Sequence, residues 1–223
     1  MYDKNHKLIS FVPVKYQNDS KVKKPSSGEY ESGILCQECD NSILGSYETY
    51  GHNVIYGGTF KQGKKPICHN TVEADSTILN CRNIDYSKLK LFYLSLLWRA
   101  SISSRPMFKA VDLGTKYTDR IRQMLHTQDP GKDTEFVIVA FTWVKDKSAS
   151  KDMLLSPRLF KIGYKYMYVL PISGFFYFIY ITPDSCHEKL FDYRLKDDGS
   201  MRTIGFPKGL FWDFIFKYTG VKR

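Results

Sequence analysis

Tyr164-Lys165-Tyr166-Met167-Tyr168-Val169-Leu170-Pro171-Ile172-Ser173-Gly174-Phe175-Phe176-Tyr177-Phe178-Ile179-Tyr180-Ile181-Thr182 is the stretch that decides the fold class. Two runs rich in aromatic and β-branched residues flank Ser173-Gly174, which reads as a β-hairpin. The run from Phe175 to Ile181 is the most apolar in the chain. It is far short of the ~20 residues a helix needs to span a bilayer. Pro171 and Gly174 before it and Pro183 after it bound it, so it reads as a buried strand.

Outward from this hairpin the C-terminal half keeps the same character. Glu135 to Lys145 reads as a further buried strand. Leu190–Leu195 and Met201–Phe206 flank Asp198-Gly199, a second hairpin signal. The first half is different. Leu89, Phe92, Leu96, Leu97 and Ala100 recur at helical spacing, with Lys88, Lys90 and Arg99 as polar neighbours, so a helix is predicted over Asp85–Ser101 and ends before Pro106. A second helix runs from Lys116 to His126, with Ile121, Met124 and Leu125 facing in and Arg120 and Arg122 facing out. Pro130-Gly131 breaks the chain there. Residues 59–82 read as loop or short hairpin, Ser42–His52 as a short helix capped by Asp40 or Asn41, and Lys7–Val14 as an edge strand because of Pro13. Helices first and an antiparallel sheet of hairpins second predict the α+β class. Residues 1–130 form a zinc-ribbon-like and helical region and 131–223 an antiparallel β region, within one compact unit.

The chain has 223 residues and a formal net charge of +10, from 33 Lys and Arg against 23 Asp and Glu. At 43% hydrophobic residues it has too much apolar material for a disordered chain. A basic excess attracts polyanions at long range. The five cysteines are an odd count, and the opening Met1-Tyr2-Asp3-Lys4-Asn5-His6 has no apolar core of a signal peptide. The expectation is a cytoplasmic protein with reduced thiols rather than a secreted disulfide scaffold.

The chemistry-bearing motif is Cys36-Gln37-Glu38-Cys39-Asp40-Asn41. Two cysteines three apart in a turn present two sulfurs to one point, which suits half of a tetrahedral zinc site. Cys68 and Cys81 are the candidates for the other half, and His69 or His52 for replacing one sulfur. Against this stands the ordinary fate of free cysteines, which is burial as small hydrophobes. Zinc is the expected cofactor, and no small-molecule cofactor motif is evident.

Gly33-Ile34-Leu35-Cys36 through Cys39-Asp40-Asn41 with Glu48 and Tyr50, then Tyr56-Gly57-Gly58, Leu94-Ser95-Leu96-Leu97-Trp98-Arg99-Ala100-Ser101, Val111-Asp112-Leu113-Gly114 and Ile121-Arg122-Gln123-Met124-Leu125 form a set of segments. Together they resemble an uncharacterised bacterial family related to HNH-like, treble-clef zinc proteins. The resemblance covers about residues 28–130. It implies a zinc-ribbon-like fold and a place in bacterial phage defence. Larger relatives carry a Ser-His-(apolar)-Pro motif and a further cysteine pair ahead of this one. Nothing before Cys36 matches either here, which weighs against a nuclease.

Lysine clusters at Lys21, Lys23 and Lys24 and at Lys61, Lys64 and Lys65, together with Arg120 and Arg122 on one helix, are candidates to track a phosphate backbone. Solvated basic faces of this kind are also common without a partner. Arg99 beside Trp98 reads first as a structural cation paired with Asp40 or Glu48. The Asp184, Cys186, His187, Glu188 group reads as a polar turn. The sequence therefore points to a zinc-stabilised basic protein that binds nucleic acid or a partner protein, with no membrane segment. The alternatives are a diverged HNH-like metal nuclease using His52 or His69 as base, and a metal-free structural partner.

Overall fold

The computed structural model describes residues 35–220, apart from 37, 74, 75, 147, 151–154, 208 and 209. The expected strand at Lys7–Val14 and the Lys21–Lys24 cluster lie outside these. Among the described residues the strands are β1 (Ile67–Glu73), β2 (Ser76–Arg82), β3 (Val137–Thr142), β4 (Arg158–Ile162), β5 (Lys165–Ile172), β6 (Phe175–Tyr180) and β7 (Met201–Gly205). They form one sheet in the order β1-β2-β7-β3-β6-β5-β4. Every neighbouring pair is antiparallel except β3–β7, which is parallel. The helices are α1 (Gly45–Tyr56), α2 (Tyr86–Ile102), α3 (Gly114–Thr127), α4 (Glu188–Phe191) and α5 (Leu210–Thr219). The fold is α+β.

The deciding hairpin is present as β5–β6. Ser173 and Gly174 have φ of 47° and 86°. Positive φ at both central residues is the type I′ geometry, whose twist matches that of the paired strands. The central strands are apolar on successive residues because both faces of the sheet are covered. Ile138, Ala140, Tyr168, Leu170, Tyr177 and Ile179 pack with the α1–α3 layer, in one cluster with Leu91, Leu94 and Leu97. Val137, Val139, Val169, Phe176 and Phe178 face the other way, onto Phe211, Ile215 and Tyr218 of α5. Period-two alternation assigns each strand residue to a layer.

The α2 prediction holds closely. The helix runs Tyr86–Ile102, and the Asp85 side chain accepts a hydrogen bond from the Lys88 amide at its start. Leu89, Phe92 and Trp98 are buried, while Leu96 is only partly so. Lys90, read as a polar neighbour, is 1% exposed. In α3, Ile121, Met124 and Leu125 are buried as expected.

Three expectations are corrected. Leu190–Leu195 is not a strand: it begins with the last two residues of α4 and continues as a turn, and β7 pairs with β2 and β3 instead. The Asp198-Gly199 turn is nonetheless real, and a Cβ at Gly199 would stand 2.4 Å from the Ile84 carbonyl oxygen, so only glycine fits. The first helix starts before its expected caps: Cys39–Leu44 forms a π-helical turn running into α1, which places Asp40 and Asn41 inside it. And the sheet is not confined to 131–223, since the 59–82 segment supplies β1 and β2.

Candidate functional site: the Cys36–Cys39 cleft

The residues that carry the resemblance hold α1 in place. The Glu48 carboxylate accepts from Arg99 Nη2 at 2.5 Å, which joins α1 to α2. The Tyr50 hydroxyl accepts the Asp85 amide at 2.7 Å, just before α2. Tyr47 Oη donates to the Leu125 carbonyl at 3.2 Å, which joins α1 to α3. Gly57, at φ 76°, ends α1 in the left-handed region that favours glycine. Arg99 is thus the structural cation the sequence suggested, and its partner is Glu48.

These contacts fix the turn that carries the two cysteines. The Cys39 amide donates to Cys36 Sγ at 3.4 Å, and the Asp40 amide donates to the Cys36 carbonyl at 3.0 Å. Cys36 is exposed and Cys39 partly exposed. The Cys39 amide, and then the Cys39 thiol, hold the Cys36 thiol below its ordinary pKa. Donating to Cys36 pushes the Cys39 thiol above its own. Of the two, Cys36 is the thiol that the turn biases toward thiolate.

The turn opens on a cleft of about 520 Å³ between it, α2 and α3. Trp98 and Leu125 form part of its wall, and Arg122 and His126 come to it from α3. Trp98 Nε1 is buried with no hydrogen-bond partner among the described residues. Arg122 is ion-paired only loosely, to Asp119 at 3.2 Å, with both side chains more than half exposed. Pairs of that kind are worth little and open easily.

Cys68 and Cys81 do not join Cys36 and Cys39. They are direct partners across the β1–β2 hairpin and are joined to each other as a disulfide, with their Cα atoms 4.1 Å apart. Among the described residues no group of three or more His, Cys, Asp or Glu side chains is placed to hold a metal ion. His52 packs on the Tyr56 ring at 4.9 Å and His69 is exposed on β1. Within the described residues, Cys36 and Cys39 are the pair of thiols that could be offered to a zinc ion. The pair fits half of a tetrahedral thiolate site.

The basic residues singled out in the sequence divide into two kinds. Arg120 is not a free cation on a solvated face, because it makes a two-pronged bond to Glu135 at 2.7 and 2.9 Å. Lys61, Lys64 and Lys65 are exposed in the loop after α1 and make no ion pair among the described residues. The Asn83 side-chain amide bonds the carbonyls of Gly63 and Lys65 at 3.0 and 2.9 Å and sets the shape of that loop. Asn83 itself, at φ 61°, sits in the turn between β2 and α2, a left-handed conformation that asparagine tolerates. No helix among the described residues is long and apolar enough to cross a membrane. No known protein family, curated protein or solved structure matches the chain.

Proposed function

We propose that the chain is a zinc-stabilised, basic module that binds nucleic acid. Cys36 and Cys39 would supply two thiolate ligands, and the other positions would be filled by donors other than cysteine, because Cys68 and Cys81 are joined to each other and Cys186 is buried. The observation that carries this reading is the Cys36–Cys39 turn itself. Its sulfurs are paired at the start of a helix that three separate contacts hold in place, and one thiol is biased toward thiolate. A bound zinc would supply charge and rigidity to this corner of the fold. The neighbouring cations then serve a polyanion: Arg122 at the cleft, beside the His126 imidazole, and Lys61, Lys64 and Lys65 on the loop.

Fluorescence anisotropy of the full chain with labelled 20-nucleotide single- and double-stranded DNA and RNA tests this. Binding should weaken steeply between about 50 and 200 mM salt, because each neutralised phosphate releases a counterion. No binding to any of the four at low salt contradicts the nucleic-acid reading and leaves a protein partner in its place. Cleavage in Mg²⁺ or Mn²⁺ would turn the module into a nuclease.

A further inference from the structure

A second concavity, of about 190 Å³, lies where the β1–β2 hairpin meets β7 and the turn before it. Strand register builds its floor. His69, Asn80 and Arg202 are successive partners across β1, β2 and β7, so their side chains share one face of the sheet. Arg82, two residues beyond Asn80, returns to the same face. Lys196 joins them from the turn.

The cations here are not equivalent. Arg202 is locked: its Nη2 reaches both oxygens of Glu73 at 2.5 and 2.6 Å, its Nε donates to Asn80 Oδ1 at 3.2 Å, and its guanidinium lies 4.3 Å over the Tyr193 ring. Its Nη1 makes no hydrogen bond among the described residues. Arg194 is spent on Asp133, with bonds of 2.9 and 3.0 Å, and lies 4.0 Å over the Phe191 ring. Arg82, Lys196 and His69 make no ion pair within 4 Å among the described residues, although Lys196 lies near enough to Asp198 to help lower its pKa. Asp192 brings the one carboxylate to the described lining. The result is a fixed guanidinium with a spare donor, flanked by two uncommitted cations and an imidazole.

We propose that this cleft is a phosphate-binding subsite for a nucleic-acid backbone. It rests on the nucleic-acid reading above and gives it a second contact surface, on elements separate from the cysteine turn. The chemistry is that of phosphate recognition: a guanidinium held in place by its neighbours, with Arg82 and Lys196 beside it outside any close ion pair. At about 190 Å³ the cleft is below the range of ~300–1,000 Å³ that encloses a drug-sized ligand. It suits one anionic group of a longer molecule.

The test compares the full chain with its Arg82→Ala/Lys196→Ala variant. Neither side chain is buried, so the fold should be kept, and circular dichroism confirms that first. With a labelled 20-nucleotide single strand, the variant should bind roughly tenfold more weakly at low salt. Its log-affinity against log-salt slope should fall by about 1.4, from two lost contacts at ~0.7 each. Unchanged affinity and slope overturn the proposal. If the unmodified chain binds no oligonucleotide, titration with inorganic phosphate, read by NMR at the His69 ring and Ser200 amide, separates the two ideas. Shifts that the double variant loses assign the cleft to a free phosphate compound and overturn only its nucleic-acid source. No shifts overturn the subsite itself.

Discussion

Lys90 Nζ donates to the main-chain carbonyl of Lys132 at 2.6 Å from a residue that is 1% exposed. It also donates to the Tyr86 hydroxyl at 2.9 Å, and that hydroxyl donates in turn to the Gly131 carbonyl at 2.9 Å. With the Arg120–Glu135 pair, these bonds tie the 129–135 loop to α2 and α3. Burial lowers the Lys90 pKa to about 8, against the opposing pull of Glu135, Asp133 and Asp129. In the unfolded chain a lysine titrates near ~10.4. The folded state therefore binds fewer protons between about pH 8 and pH 10, and stability rises with pH across that window. The charged form costs the fold on the order of 3 kcal/mol below it. Urea midpoints of the unmodified chain should climb from pH 7.5 to 9.5 relative to those of Lys90→Met. Parallel pH profiles would show that Lys90 is not held as described.

The α1–α2 contact sets a second expectation. A Cβ at Gly51 would stand 2.4 Å from Cγ of the Phe92 ring. Gly51→Ala should cost about 1–3 kcal/mol through overpacking, although alanine is the better helix former. A neutral or stabilising change in thermal or urea unfolding would mean that the two helices sit farther apart.

Leu97→Ala should cost about 2–5 kcal/mol, since Leu97 is fully buried. Leu96→Ala should cost clearly less, since Leu96 only borders the core. Equal losses for the two would place the wrong face of α2 inward.

Reduction should loosen the sheet edge. The Cys68–Cys81 bond closes a loop of sequence separation 13 on an exposed hairpin. Chain-entropy arguments put the gain from closing a loop of this size at up to ~3 kcal/mol, less whatever structure the unfolded hairpin keeps. Cys68→Ser/Cys81→Ser should lower the unfolding midpoint and raise amide exchange in β1. Unchanged protection there would show that the hairpin is held by other contacts.

Much of this architecture was legible because periodicity reports directly on burial. The α2 stripe, the inward triad Ile121, Met124 and Leu125, and the Ser173-Gly174 hairpin all follow from spacing alone. The misreadings share a cause: they turn on long-range partners. Leu190–Leu195 has strand-like composition, yet β7 finds its partners in β2 and β3, more than 100 residues away in sequence or in the parallel register with β3. Lys90 looked solvated because its neighbours in the 129–135 loop are invisible to local spacing. Arg120 looked free because Glu135 lies across a turn. For the site, Cys36 and Cys39 could be paired from their spacing. That Cys68 would face Cys81 required the hairpin register, which sequence separation alone does not give.

Zinc content tests the central claim most directly. Elemental analysis of the purified chain, beside Cys36→Ser/Cys39→Ser prepared identically, should find about one zinc per chain in the first and almost none in the second. A zinc-free unmodified chain that unfolds at the same temperature with and without added zinc would contradict it.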